Sequence, residues 1–412
     1  MTDFSDACLS NNLELVKMLK IPDCKTLNII FEKVCTSGHL DIAKYLYDNT
    51  SIYRETNALL YACWNGHFHI AQWLHSKGFD ILAYNNTSFL NACKQGHFHI
   101  AKWLHSLGAY DENNWAIIDT CGTGHFDIVK WLYELGSNIF DHKNQAFQNA
   151  CSNGHFDIAQ WIYSLGGFNN DGFLNACMNG HINIAQWLYN LGITTNTNDA
   201  FRCACSGGHM NIAQLLYSST TQYNEAFINA CCNGNIDIAK WLYINNISDP
   251  DAKSFKGACW RGHLNVAQWL YSKGIIDYDY ESFIDACWGG NIKVVKWLHS
   301  VGLSGQYNLA FRRACCFSRL NIAKWLYSLD VNISIEDDSF SHACSMNQIN
   351  IVNWMIEIHY KKSRRIYFEY YDAFELEIKN ILIDNDLVDP TCLYEDDLQY
   401  YLDRTKSTLR EV

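Results

Sequence analysis

Residues 98–108 read Phe-His-Ile-Ala-Lys-Trp-Leu-His-Ser-Leu-Gly, a segment that recurs along the chain in close variants. Counted from Phe98 as zero, the polar residues of the typical copy fall at positions 1, 4 and 8. That is one narrow polar stripe at helical spacing, and everything else is apolar or aromatic. A surface helix carries a narrower apolar face, so this one is expected to pack on two sides. Just upstream, Phe89-Leu90-Asn91-Ala92-Cys93 places Phe, Ala and Cys at i, i+3 and i+4, on one face of a second predicted helix. The two small residues allow another backbone to approach closely.

Aligned on that cysteine, the chain resolves into 13 units anchored at Cys8, Cys35, Cys63, Cys93, Cys121, Cys151, Cys177, Cys205, Cys231, Cys259, Cys287, Cys315 and Cys344, with spacings of 26 to 30 residues. Phe lies four residues before the anchor in 11 of the 13, with Leu59 and Ile117 in the others. Three residues after it, ten units carry Gly, while Asn11, Asn347 and Ser318 hold the place elsewhere. Gly and Asn tolerate the left-handed conformation that ends a helix, so each unit reads as helix, turn, helix.

Neither helix exceeds about three turns, less than an isolated helix needs in water. Each unit therefore depends on its neighbours, and the end units differ as capping repeats should. The first has Met18 where most have Trp, and Asn11-Asn12 at the turn; the last has Asn347-Gln348 there. The predicted organisation is an N-terminal capping repeat at 1–30, a repeat array at 31–360, and a non-repeating acidic helical tail or C-terminal cap at 361–412.

The segments at 124–133 and 154–163, built as Gly-His-Phe-Asp-Ile-Ala-Lys-Trp-Leu-Tyr or close to it, resemble the second helix of the ankyrin repeat. That helix follows a Gly-His turn with Ile or Val, Val, Lys and Leu-Leu. The likeness covers nearly the whole chain. The family's Thr-Pro-Leu-His helix start is absent, and the units are shorter than the usual ankyrin length. The resemblance implies an all-α fold, a helical repeat solenoid of about 13 ankyrin-like helix-turn-helix units, with hairpin fingers reduced or lost. It also implies a concave surface that binds proteins. The Asn, Ile, Tyr and Lys usage and the abundance of Trp resemble the ankyrin proteins expanded in giant viruses of amoebae.

Composition narrows the function. Of 412 residues, 49% are hydrophobic and 18% charged, which suits a folded chain, and only three are proline, which suits a helical one. The formal net charge is −12. An acidic chain repels phosphates, so no nucleic-acid partner is expected. The opening Met1-Thr2-Asp3-Phe4 lacks the basic and apolar regions of a secretory signal, and no apolar run has membrane-spanning length. Eighteen cysteines in such a chain point to free thiols, a reducing cytoplasm and no membrane partner.

The recurring Cys-x-x-x-His, as in Cys93 and His97, offers two zinc-ligand types per unit. Asn235 and Asn291 replace the histidine without disturbing their units, so a turn histidine bonded to a neighbouring loop accounts for the pattern better. The set His67, His69 and His75, repeated as His97, His99 and His105, has no complete ligand spacing either. No metal and no cofactor is expected. Ten tryptophans share one repeat position, Trp73 and Trp187 among them, and are expected to be core. There is no phosphate-binding loop, zinc-protease helix, nucleophile elbow or kinase catalytic loop. The chain is expected not to be an enzyme, with no catalytic residues.

Positions that vary between units and face water are free to serve recognition, and the two residues after each anchor fit that description. Among them Trp64, Lys94, Trp260, Arg261, Trp288 and Phe317 are the candidate partner-binding residues, with Trp260, Arg261 and Trp288, helped by Phe317, as the main patch. Trp and Arg dominate binding hot spots. The function expected is that of a monomeric scaffold for partner proteins. The rival reading is a substrate adaptor that recruits a host ubiquitin ligase or other machinery through the tail. In that tail Phe374, Ile378, Ile381 and Leu382 predict a helix. Lys361, Lys362, Arg364 and Arg365 cap the preceding helix or serve as a nuclear import signal.

Overall fold

A computed structural model describes residues 4–53, 56–194, 196–218, 224–329, 333, 337–360, 375–385 and 387. Among them are 27 α-helices, a π-helical turn at Ile356–Tyr360 and no strand. No helix is long and apolar enough to cross a membrane. The chain forms two compact units, one of residues 1–204 and 211–217, the other of 205–210 and 218–412. In each, helix pairs succeed one another as in a helical repeat solenoid.

Within a pair, the first helix supplies the innermost layer. Phe147, Ala150 and Cys151 in the first unit, and Phe283, Ala286 and Cys287 in the second, are fully buried. First helices pack directly on the first helices before and after them, as Asp141–Asn153 does on Trp115–Thr123 and Asp171–Asn179. Ala and Cys at the contact make that approach possible. All 13 anchor cysteines are fully buried, and none of the 17 described cysteines is in a disulfide.

The turn after each first helix is left-handed in all 13 units. The ten glycines have φ between 80° and 92°, and Asn11, Ser318 and Asn347 have 57°, 59° and 54°. In most units glycine answers a second demand. A Cβ on Gly154 would lie 2.6 Å from Nδ1 of His181, the turn histidine of the next pair.

On the second helix the apolar face divides into two grades. Ile158, Ala159 and Ile162 are buried, whereas Phe156, Trp161 and Tyr163 are half-buried. Nine of the ten stripe tryptophans are half-buried, and Trp354 alone is buried. The expectation that this stripe is core is thereby corrected. The described ring contacts are mostly edge-on, against aromatic residues of the preceding pair and not between copies of the stripe: Trp161 lies 5.6 Å from Phe126 and 5.3 Å from Tyr133. Trp187 stands likewise 5.6 Å from Phe156 and 5.4 Å from Tyr163. The outer edge of the ring stays in solvent because the pair has no third layer to cover it.

Connectors to the next pair are short. Five of them place a residue in the left-handed region just before the helix: Asn114, Asn196, Ala252, Tyr280 and Gln306. An aspartate caps three of these helices from five residues before the amide it accepts. Asp277 Oδ2 accepts from the Ser282 amide at 2.9 Å while Oδ1 accepts from Asp279 at 3.0 Å. Asp249 does the same with Ser254 and Asp251, and Asp111 with Ala116 and Asn113. These Asx turns replace the hairpin. In the tail, Leu376–Asp384 is helical and buries Ile378 and Leu382, as the spacing predicts. Phe374 and the basic cluster Lys361, Lys362, Arg364 and Arg365 lie outside the described residues.

Candidate interaction surface

Within each unit, the turn between paired helices ties the end of a first helix to the pair that follows it. The last carbonyls of a helix have no partner inside it. Here the following pair supplies one. His67 Nε2 lies 2.9 Å from the Thr36 carbonyl and His97 Nε2 2.8 Å from that of Trp64. A carbonyl only accepts, so each ring carries its proton on Nε2. Where histidine is replaced, another donor does the same work: Asn291 Nδ2 donates to Trp260 O and Arg319 Nε to Trp288 O, both at 2.9 Å. The recurring Cys-x-x-x-His is therefore a packed thiol followed by a bonding turn residue. Among the described residues no three His, Cys, Asp or Glu side chains are placed to hold a metal ion. Burial, and then the neighbouring His155 and His97, hold His125 below its ordinary pKa.

In the pairs held in this way, the side chain one residue past an anchor can face the side chain two residues before the next anchor. In the first unit Lys94 meets Asp119 there, 2.9 Å away. Its ammonium is thus engaged within the fold. Trp64 is 43% exposed. Several of the variable positions also join neighbours: Asn179 Nδ2 donates to Ser152 Oγ at 3.0 Å, and Asn233 Nδ2 to Ser206 Oγ at 2.7 Å.

In the second unit the same positions hold aromatics. The rings of Trp260 and Trp288 are 5.5 Å apart at 40°, and those of Trp288 and Phe317 are 5.3 Å apart at 44°. Trp260 is 38% exposed, and Trp288 and Phe317 are half-buried. The three form a ladder in which each rung covers part of the next. Two guanidiniums lie over it, Arg261 at 5.7 Å from the Trp260 ring and Arg313 at 5.8 Å from Trp288. Arg261 Nη1 also donates to Asn233 Oδ1 at 2.5 Å. The structure thus brings together Trp260, Arg261, Trp288 and Phe317, while Trp64 and Lys94 belong to the other unit. Arg313 escaped the reading of the sequence because it precedes its anchor; the pairing of one column with the other was the missing signal.

Two carboxylates border the ladder. Lys256 engages Glu281 at 2.5 Å, and burial, followed by Glu281, raises the pKa of Asp285 against the opposing pull of Lys256 and Arg313. The burial and nearby Arg261 depress the pKa of His263.

A family model described as ankyrin repeats (3 copies) matches residues 4–85, 89–172 and 173–254, more than half of the 412 residues. No curated protein matches the chain at a significant level. The helix pairs continue past the matched segments, and the aromatic ladder stands in that continuation.

Proposed function

Because the chain belongs to the ankyrin-repeat family, whose repeats are generally protein–protein interaction modules, we propose that it is a scaffold whose partner protein docks on the ladder Trp260, Trp288 and Phe317 beside Arg261. One observation carries the reading. Three apolar rings stay partly in solvent, in contact at 5.3–5.5 Å across successive helix pairs, whereas the corresponding aromatic Trp64 has no such aromatic neighbours among the described residues. Rigid aromatic surface next to arginine is the composition of a binding hot spot. Family members are typically non-enzymatic scaffolds, and the burial of the anchor thiols keeps them from acting as nucleophiles. Action in a reducing cytoplasm belongs to the same proposal and draws on those packed thiols.

The test compares wild type with Trp260→Ala/Trp288→Ala for proteins captured from the source cell, with circular dichroism as the fold control. Partners lost with helicity intact are the expected outcome. Undiminished capture sinks the patch, and lost helicity would assign the two rings to the core. Capture of a ubiquitin-ligase subunit that depends on residues 361–412 would favour the adaptor reading.

A further inference from the structure

Three arginines stand at or beside the ladder: Arg261 and Arg313 over its rings, and Arg312 next to Arg313 on the same helix. Among the described residues Arg261, Arg312 and Arg313 form no ion pair, although the chain carries a net charge of −12. Of the neighbouring cations, Lys256 is matched by Glu281 and Lys253 by Asp251. Arg312 and Arg313 are exposed on the helix Tyr307–Cys316, which also leads into Phe317. Arg261 closes the helix Lys253–Arg261 one residue after Trp260. Positive charge therefore brackets the three rings at both ends. Asp285, between the ends, is half-buried and within the field of Arg313, so it lessens this charge without cancelling it.

A guanidinium over an aromatic face can still present edge N–H groups to a carboxylate, in two parallel bonds where both are open; on Arg261 one Nη1 hydrogen is already given to Asn233. We propose that the occupant of this surface is an acidic protein segment: an extended or helical stretch whose aliphatic or aromatic side chain lies on Trp260 and Trp288 while flanking Asp or Glu side chains meet Arg261, Arg312 and Arg313. The proposal rests on the reading of the ladder as a docking surface and adds the chemistry of the partner. Stacking supplies contact area, and the flanking charges select the partner and speed its arrival. A single-stranded nucleic acid also combines rings with negative charge. Three arginines on a strongly acidic chain favour the peptide, because phosphate-backbone binding draws its strength from many neutralised phosphates.

The full chain is titrated with two pools of short fluorescein-labelled peptides. One has a central Leu, Ile, Phe or Trp flanked by Asp and Glu; the other carries Asn and Gln in their place. The acidic pool should bind at least about tenfold more tightly, and Arg312→Gln/Arg313→Gln should remove about that factor while helicity is kept. Trp260→Ala/Trp288→Ala should weaken both pools. Equal affinity for the two pools, or indifference to the arginine replacements, overturns the acidic preference. So does tighter binding of an oligo(dT) of matched length. A peptide of residues 369–397, acidic itself, bound at the ladder more tightly than the pool would make this chain its own occupant and overturn the external partner. The docking surface itself stands or falls separately, on whether the tryptophan pair is needed for partner capture from cells.

Discussion

A buried thiol that never ionises is a spacer, and the anchor cysteines behave as such. Burial pushes Cys63, Cys151, Cys177 and Cys205 up to about 12, and Cys8 to about 11. The thiolate is the reactive form, so iodoacetamide on the native protein at neutral pH should label exposed Cys24 and spare the anchors, as peptide mass mapping would show. Rapid labelling of several anchors would mean that the first helices are not closely stacked. Beside these thiols, Phe173 is fully buried whereas Trp187 is half-buried. Phe173→Ala should therefore cost about 3–5 kcal/mol. Trp187→Ala should cost clearly less, since part of its surface already meets water. Equal costs in denaturant melts would contradict the division into inner and outer layers. The sequence made Phe, Ala and Cys legible as an inner face because their spacing is helical and their sizes differ. It did not distinguish Trp187 from them, since a partly wet ring that contacts a neighbouring helix has the same periodicity as one wholly enclosed.

At the scale of the element, the turn is where local and long-range demands meet. Gly154 has a φ of 82° and no room for a Cβ beside His181. Gly154→Ala should cost more than the roughly 1–2 kcal/mol of left-handed backbone strain alone. Adding His181→Ala should restore part of the loss, a coupling that a double-mutant cycle measures; strict additivity would show that the ring is not the obstacle. The turn histidines also give stability a pH dependence. His125 lies below its ordinary value of 6.5 in the folded chain, so between that value and its folded pKa the unfolded chain binds more protons. Its contribution is fully present above the unfolded value and is lost as the pH falls through the window below it. His125→Asn, the residue found at the equivalent Asn235 and Asn291, should flatten the decline in melting temperature between about pH 7 and about pH 5. An unchanged slope would assign the decline to other groups. The turn's role was readable from Asn235 and Asn291 standing in for histidine. The aspartate caps at Asp111, Asp249 and Asp277 were not, because their amides lie five residues away, beyond the usual capping distance.

For the molecule as a whole, repetition means that stability is a sum of pairs and their contacts. Phe283→Ala should raise amide exchange in Lys253–Arg261, Glu281–Gly289 and Tyr307–Cys316, the helices that pack on one another there, and leave Ala58–Trp64 unaltered. A uniform rise across all helices would show global cooperativity instead. The thirteen-fold period and the all-α class were plain in the sequence, since both follow from spacing. The exposed aromatic positions were legible too, but Arg312 and Arg313 emerged only once neighbouring helices were in register.

The direction of the turn bonds has its own consequence. His67 reaches back to Thr36, His97 to Trp64 and Arg319 to Trp288; in each case the donor comes from the later segment. A chain leaving the ribosome therefore always carries one newest helix whose final carbonyl awaits a donor not yet synthesised. Every completed turn seals the segment made before it. A prematurely ended copy is left open at its newest edge, its last carbonyls without the donor that the next pair would bring.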